Sequence, residues 1–391
     1  MTVESMEPGE LARLGERLQR EHGTLWLHRL KGDPYAALLC DIDEDPRPLR
    51  ERVRAAGPLW RSGPGAWVTA DPATAAALLA HPGIGYVPAL PGEAAVTDVR
   101  VPDGLGSLCA RLLDAAGPEF DLVTDVAEPL VAGALAEVCA IPETDRDRFA
   151  EALVGCAAAQ DAVVCPQRLA TTRRLRMGLD ELRSLLDGAP PDAPGPATVV
   201  VAARTGADLV VRTVLRARFP LSAREAGRTA VAALSDEPPG WIVPLVARTD
   251  LEVAGARIAA GERLAILPDG GPGAVTAPAH RVPAPFHHAL AEAVLAALAD
   301  RYARLRPVAP VVRRARAPLT RGPARALVRA TTAPTALTTA ATATAGRGAA
   351  ETTTPTTADR RAATTTTSTA PPRATASPAA AALGAGTGEA R

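Results

Sequence analysis

Five cysteines, Cys40, Cys109, Cys139, Cys156 and Cys165, are the only thiols of the chain, and none follows Cys165. Their number is odd and their spacing irregular, with no C-x-x-C, so neither a disulfide framework nor a zinc site is expected. His287 and His288 are adjacent. On a helix neighbouring side chains point about 100° apart, so at most one of the two faces a pocket, and a partly buried or surface histidine is expected. Glu225 and Arg228 stand at i,i+3; on a helix they form a solvated ion pair contributing about 0.2–0.5 kcal/mol. Thr205, Gly206 and Asp208 share one helical run. There the glycine permits close approach of a second helix, but no acid precedes the threonine. Asp41-Ile42-Asp43-Glu44-Asp45 opens like a calcium loop, yet Pro46 stands where glycine is required and Arg52 where the bidentate glutamate belongs. G-x-x-x-x-G-K-[ST], G-x-G-x-x-G and G-x-S-x-G are all absent, which removes phosphate cradles and a nucleophile elbow. Arg313, Arg314, Arg316, Arg321, Arg325 and Arg329 read as the basic stripe of a solvated terminal strand. No catalytic, cofactor-binding or metal-ligating set emerges.

The elements that carry these residues come from periodicity and punctuation. Hydrophobic residues make up 47% of the 391, enough for a sizeable core, and aromatics only 3%, so Leu, Val and Ala must fill it. The formal net charge of +0 gives no reason to expect nucleic acid or an acidic membrane surface as partner. The N-terminus lacks the basic and apolar regions of a signal peptide, and no apolar run is long enough to span a bilayer. A reducing cytoplasm is the expected location. Helices are predicted over Glu10–His22, stopping at Gly23, over Pro48–Ala56, and over Pro72–Ala80 with Asp71 as N-cap. Others follow over Phe120–Ala150, split at Pro142, then Gln167–Leu186, Thr198–Arg218 and Leu290–Leu305. Trp67–Thr69 reads as a strand, and Glu237–Ile266 as a Pro-Pro break, a short apolar strand and a hairpin turning near Ala254-Gly255. The Thr198–Arg218 run is valine-rich, so burial must carry it. From about Thr331 the composition turns to Thr, Ala and Pro. A single domain over residues 1–330 and a disordered tail over 331–391 are expected.

The stretch Glu237–Ile266, a Pro-Pro break followed by a strand and a hairpin, resembles the segment after the K helix of bacterial cytochromes P-450. Trp67–Leu79, Asp121–Phe149 and the helix opening at PFHHALAEAVLAAL follow in the same order. The resemblance implies a mainly α fold with small β-sheets, P-450-like but lacking the haem-cysteine loop. In such enzymes a cysteine precedes the last long helix and an E-x-x-R pair precedes the Pro-Pro break. Here Ala233 and Asp236 stand at the pair's place, and the loop between Ile266 and Phe286 looks shortened.

Two flanking segments, Gly32–Pro46 (GDPYAALLCDIDEDP) and Pro310–Gly322 (PVVRRARAPLTRG), sharpen the likeness. Both resemble the haem-free, P-450-derived auxiliary proteins that activate glycosyltransferases in macrolide and anthracycline antibiotic pathways. Membership implies a non-catalytic protein without cofactor, forming a hetero-oligomer with a cognate transferase that attaches a TDP-activated deoxysugar to a polyketide. An enzyme on a degenerate P-450 scaffold with a retained small-molecule pocket is the alternative. Leu25, Trp26, Leu27, Pro34 and Tyr35 are the candidate partner surface, because aromatics are enriched at interface centres. Core packing is the other reading of the same five residues.

Overall fold

The first helix ends at a different glycine from the one its periodicity marks. In a computed structural model, α1 spans Pro8–Leu30 and runs straight through Gly23. An interior glycine costs a helix about 0.5–1 kcal/mol. Burying Leu25 returns about 1.5–3 kcal/mol, so the helix continues. Its stop is Gly32, at φ 88. There the Gly32 N–H donates to the Arg29 carbonyl at 2.9 Å and the Asp33 N–H to the His28 carbonyl at 3.0 Å, the paired closure of a Schellman motif. Asp33 then caps α2 (Pro34–Cys40) by accepting from the Ala36 N–H at 2.8 Å. Its second oxygen accepts from Ser62 Oγ at 3.0 Å and the Gly63 N–H at 2.6 Å.

The structure describes residues 8–332 except 42–44, 89, 91, 94–95, 221–224, 226, 230–231, 233–239 and 270–282. In chain order α3 (Arg47–Ala55), β1 (Trp60–Arg61), β2 (Trp67–Thr69), α4 (Pro72–Ala80) and β3 (Ile84–Tyr86) come next. α4 and β2 fall where the sequence places them, with the Asp71 carboxylate accepting from the Thr74 N–H at 2.7 Å. α5 (Leu105–Ala116), β4 (Glu119–Asp121), a π-helical turn (Leu122–Ala127), α6 (Glu128–Val138), α7 (Arg146–Gly155), the short α8 (Ala159–Ala162), α9 (Leu169–Leu186) and α10 (Pro196–Arg216) follow. Phe120 and Asp121, expected as helix, therefore lie in a strand. The last third holds β5 (Val243–Ala247), β6 (Leu251–Val253), β7 (Ala256–Ile258), β8 (Arg263–Ile266), α11 (Ala284–Arg301), β9 (Tyr302–Pro307), β10 (Val312–Arg313), β11 (Pro323–Arg325) and β12 (Leu327–Thr332). The β6–β7 hairpin turns at Ala254 and Gly255, both with positive φ. α11 begins ahead of the predicted Leu290, and Tyr302–Leu305, expected as its end, is strand.

The fold is mainly α with small sheets. One five-stranded sheet runs in the order β1-β2-β8-β5-β3, with β2 and β8 parallel and the rest antiparallel. A three-stranded sheet, β4-β12-β9, joins the chain's last described strand to the elements on either side of the helical core. That core is built from α5, α6, α7, α9, α10 and α11, with Phe149, Leu130, Leu135 and Phe286 buried in it. As the valines of α10 require, 16 of its residues are buried. Thr331 and Thr332 continue β12, and the rest of the Thr-rich segment lies outside the described residues. Ala233, Asp236 and the Pro238-Pro239 break also lie outside them. Glu225 and Arg228 are described and exposed.

Candidate functional site

α10 and α11 are packed directly against each other. Gly206 is what brings them together: a Cβ placed there would meet Leu290 Cδ1 and His287 Cδ2 of α11, each at 3.2 Å. One turn earlier the Ala202 carbonyl lies 3.1 Å from His287 Nε2. His287 is fully buried, which corrects the expectation of a surface or half-buried histidine. The close packing at Gly206 leaves its ring no route to water. Its neighbour His288 points outward, 3.8 Å from Glu292. The 100° step between adjacent helical residues separates them as expected.

A second constellation was not legible. Residues 313–322 form a strap, partly exposed from Arg313 to Arg316 and buried from Ala317 to Thr320, held by three buried carboxylates, one just after α2, one in α8 and one in α10. Asp41, left-handed at φ 52 just after α2, accepts from the Ala317 N–H at 3.0 Å, Arg321 Nη1 at 3.0 Å and Arg313 Nη1 at 3.4 Å. Asp161 in α8 accepts from the Leu319 N–H at 2.9 Å, the Thr320 N–H at 3.0 Å and Thr320 Oγ1 at 2.8 Å. Asp208 in α10 binds Arg314 Nη2 at 2.7 Å and also pairs with Arg204. A Cβ on Gly322 would collide with the Asp208 carboxylate and the Arg314 guanidinium, so glycine is required by this approach. Arg316 and Arg321 hold positive φ of 56 and 47, a strained conformation for arginine that the surrounding anchors must impose. Gln167 Nε2 donates to the Arg316 carbonyl at 2.9 Å, and the Trp241 N–H to the Leu319 carbonyl at 2.8 Å.

Burial sets the electrostatics here. It pushes Asp161 up to about 7, against the three hydrogen bonds from Thr320 and Leu319 that favour the anion. It also raises Asp41, with Arg321 opposing. For Arg204 burial works against the charge, but Asp208 and Glu128 outweigh it and hold the guanidinium above its usual value. The five cysteines are all buried. Burial pushes the thiols of Cys109, Cys139, Cys156 and Cys165 up to about 12, so they stay protonated and weakly reactive.

The expected basic stripe does not exist as a solvated face. Arg313, Arg314 and Arg321 turn inward onto Asp41 and Asp208, and Arg316 donates to the Pro166 carbonyl at 3.1 Å. Only Arg325 and Arg329 lie on the surface, beside Asp121 and Glu119. Asp41 is thus an arginine partner. The two flanking segments singled out in the sequence are bonded to each other across the fold.

The five candidate partner residues do not share a surface. Leu25, Pro34 and Tyr35 are buried, Leu25 and Tyr35 in the cluster that α1 and α2 make against the five-stranded sheet. Trp26 and Leu27 are 36% and 52% exposed, and Leu30, one turn on, is 75% exposed. These three form one outward apolar stripe. The Trp26 Nε1–H donates to His22 Nε2 at 2.9 Å, and the Arg29 guanidinium lies 5.1 Å from the ring centroid.

No protein-family model matches the chain. It is 30% identical over 370 residues to Protein DesVIII of Streptomyces venezuelae, covering 79% of this chain and 92% of that protein. It is also 30% identical over 391 residues to Protein TylM3 of Streptomyces fradiae, covering 80% and 92%. The chain belongs to their family, the P-450-derived glycosyltransferase auxiliary proteins. Among solved structures, P450BioI superposes with a TM-score of 0.56 at 16% identity, over 74% of this chain and 99% of that one. At that identity the likeness concerns the fold, which is a cytochrome P-450 fold. The auxiliary protein thus keeps the scaffold, with α10 and α11 closed on each other and the strap anchored beside them. Among the described residues no helix is long and apolar enough to cross a membrane, and no cluster of three His, Cys, Asp or Glu side chains could hold a metal ion.

Proposed function

We propose that this auxiliary protein performs no chemistry of its own and acts in the cytoplasm, in a hetero-oligomer with a glycosyltransferase. The transferase would carry a TDP-activated deoxysugar to a polyketide aglycone, as the family's antibiotic pathways require. The observation that carries the non-catalytic reading is the contact between α10 and α11. Haem on that face needs a thiolate from the approach to α11, and clearance of about 3.5–4 Å on each side of the porphyrin. The approach contains no cysteine, and a Cβ on Gly206 would already touch His287 at 3.2 Å. These residues do not fit a haem.

A partner that binds only the folded transferase stabilises it by mass action, by about 2.7 kcal/mol at one hundred times its Kd. If it also prefers the competent conformer, each ~1.4 kcal/mol of preference raises that population tenfold. Neither effect needs a catalytic residue. The outer stripe of α1 suits such contact: Trp26 is a large side chain preset by His22 and Arg29, with Leu27 and Leu30 beside it.

The test is co-expression with the transferase encoded nearest to it, then size exclusion, a transfer assay with and without this protein, and a reduced carbon monoxide difference spectrum. Co-elution, a large gain in transfer and no thiolate-haem band are expected. A transferase fully active alone and eluting separately would end the activator reading, and a thiolate-haem band would end the haem-free one.

A further inference from the structure

α1 and α2 do not close fully on the five-stranded sheet. A cavity of about 500 Å³ lies between them, bounded by the β1–β2 turn, β8 and the segment that follows α8. Its walls are largely apolar, with Leu25, Leu39, Val164 and Leu264 among them. Tyr35 also lines it and is only 5% exposed. A buried tyrosine hydroxyl usually finds a hydrogen-bond partner. This one has none among the described residues, and it is not sealed from water as an enclosed orphan would be. Burial raises the phenol above its usual value, so it stays protonated and can donate; the charge that most opposes this is Arg263. Arg263 lies on the same face of β8 as Ala265, which packs in one cluster with Leu25 and Tyr35. The charged residues on the cavity are Glu21, Glu262 and Arg263. Both Glu262 oxygens are engaged, one by Arg61 Nη2 at 2.7 Å, the other by Trp67 Nε1 at 3.0 Å and the Ala259 N–H at 2.9 Å. Glu21 lies 4.0 Å from Arg17. Arg263 has no ion pair among the described residues.

We infer that this cavity binds a small monocarboxylate with an apolar body, its carboxylate accepting from the Tyr35 hydroxyl and pairing with Arg263. The volume lies within the range of ligand pockets, about 300–1,000 Å³. The apolar walls suit the body of such a molecule. The hydroxyl is a donor that nothing in the fold answers, and the guanidinium is a charge without a counter-ion. A neutral alcohol would answer Tyr35 and leave the guanidinium in water. An amine would meet Arg263, while Glu262 is already answered. A second negative charge on the ligand would face Glu21 and Glu262 along the same cavity. The site is independent of the partner-binding reading: Leu25 stands about 100° around α1 from Trp26, and binding here needs no transferase.

The test is isothermal titration calorimetry of the full chain with octanoate, octanol and octylamine, which share one apolar body and differ in head group. One-to-one binding of octanoate is expected, with octanol about tenfold weaker and octylamine weaker still. Tyr35→Phe keeps the ring and removes a hydroxyl that bonds nothing in the fold. It should unfold at or above the parent's temperature and bind octanoate about tenfold more weakly. Arg263→Gln, an exposed change, should weaken octanoate binding by about threefold or more and leave octanol binding as it was. Thermal unfolding establishes that both variants are folded. No octanoate binding at millimolar concentration, or equal binding by the parent and Tyr35→Phe, disproves the site. So does a clearly less stable Tyr35→Phe, since its hydroxyl would then already have a partner inside the fold. Octanol or octylamine binding as tightly as octanoate, or octanoate binding unchanged in Arg263→Gln, would overturn the assigned anion.

Discussion

The strap and the outer face of α1 use their side chains in opposite ways. Inside, residues 313–322 gather arginines, backbone N–H groups and a threonine onto Asp41, Asp161 and Asp208, all three carboxylates buried. Outside, Trp26, Leu27 and Leu30 leave apolar surface in water. An enzyme concentrates buried charge where bonds are made and broken. Here the buried charge joins α2, α8 and α10 through one segment, and the exposed apolar groups stand where another protein could cover them. Buried ion pairs add little net stability over a well-packed apolar core but are costly to break. The strap therefore works as a device that fixes one arrangement of these helices, and the stripe is free to serve recognition.

The largest effect that would test this contrast comes from Asp41→Ala. It leaves Arg321, whose side chain is 6% exposed, and Arg313 without their shared carboxylate. Removing one partner of a buried pair costs about 3–5 kcal/mol, and the Ala317 N–H loses its acceptor as well. Urea unfolding is expected to show a loss of that order. A loss below about 1 kcal/mol, the usual worth of a surface ion pair, would mean that the strap is solvated and the contrast false.

A smaller effect is readable in pH. Burial raises Asp161 to about 7 from a carboxylate's usual value near 4, so the folded state holds a proton that the unfolded chain releases. The contribution of this group to stability is fully present below the unfolded value and is lost as pH rises through about 7. Asp161→Asn keeps an acceptor for the Leu319 and Thr320 N–H groups but does not titrate. Between pH 5 and 8, stability of the parent is expected to fall more steeply than that of the variant, measured as denaturant midpoints. Parallel profiles would place Asp161 in contact with water.

How far the sequence could be read followed how local each determinant is. The Asp71 cap, the turn at Ala254-Gly255 and the glycine by which α10 meets another helix are set by neighbouring residues or by one helical face, and each stands where expected. The end of α1 was misplaced because Gly23 and Gly32 look alike in sequence. Burial of Leu25, a tertiary fact, carries the helix past the first of them. The strap was read as a solvated stripe because its partners are remote: Arg313 and Asp41 are 272 residues apart, and Thr320 and Asp161 159. The run of arginines on one short segment was the available signal.

The smallest effect on stability should accompany the largest effect on partnership. Trp26→Ala removes a ring held by one hydrogen bond to His22 and by the Arg29 guanidinium over it, both half-buried. Leu30→Ala removes a side chain that is 75% exposed. Loss of the exposed Leu30 side chain changes stability within about 0.5 kcal/mol, and loss of the Trp26 hydrogen bond and cation–π contact adds about 1–2 kcal/mol, so the double variant should stay folded. A buried interface anchor is worth about 2 kcal/mol or more, close to a thirtyfold loss in affinity. Titrating the variant against the transferase, with transfer rate as the readout, is expected to shift the activation curve by at least that factor and leave its plateau unchanged. An unshifted curve would move recognition to another surface. A lowered plateau would mean that α1 acts on the transferase's competent conformer and not on affinity alone.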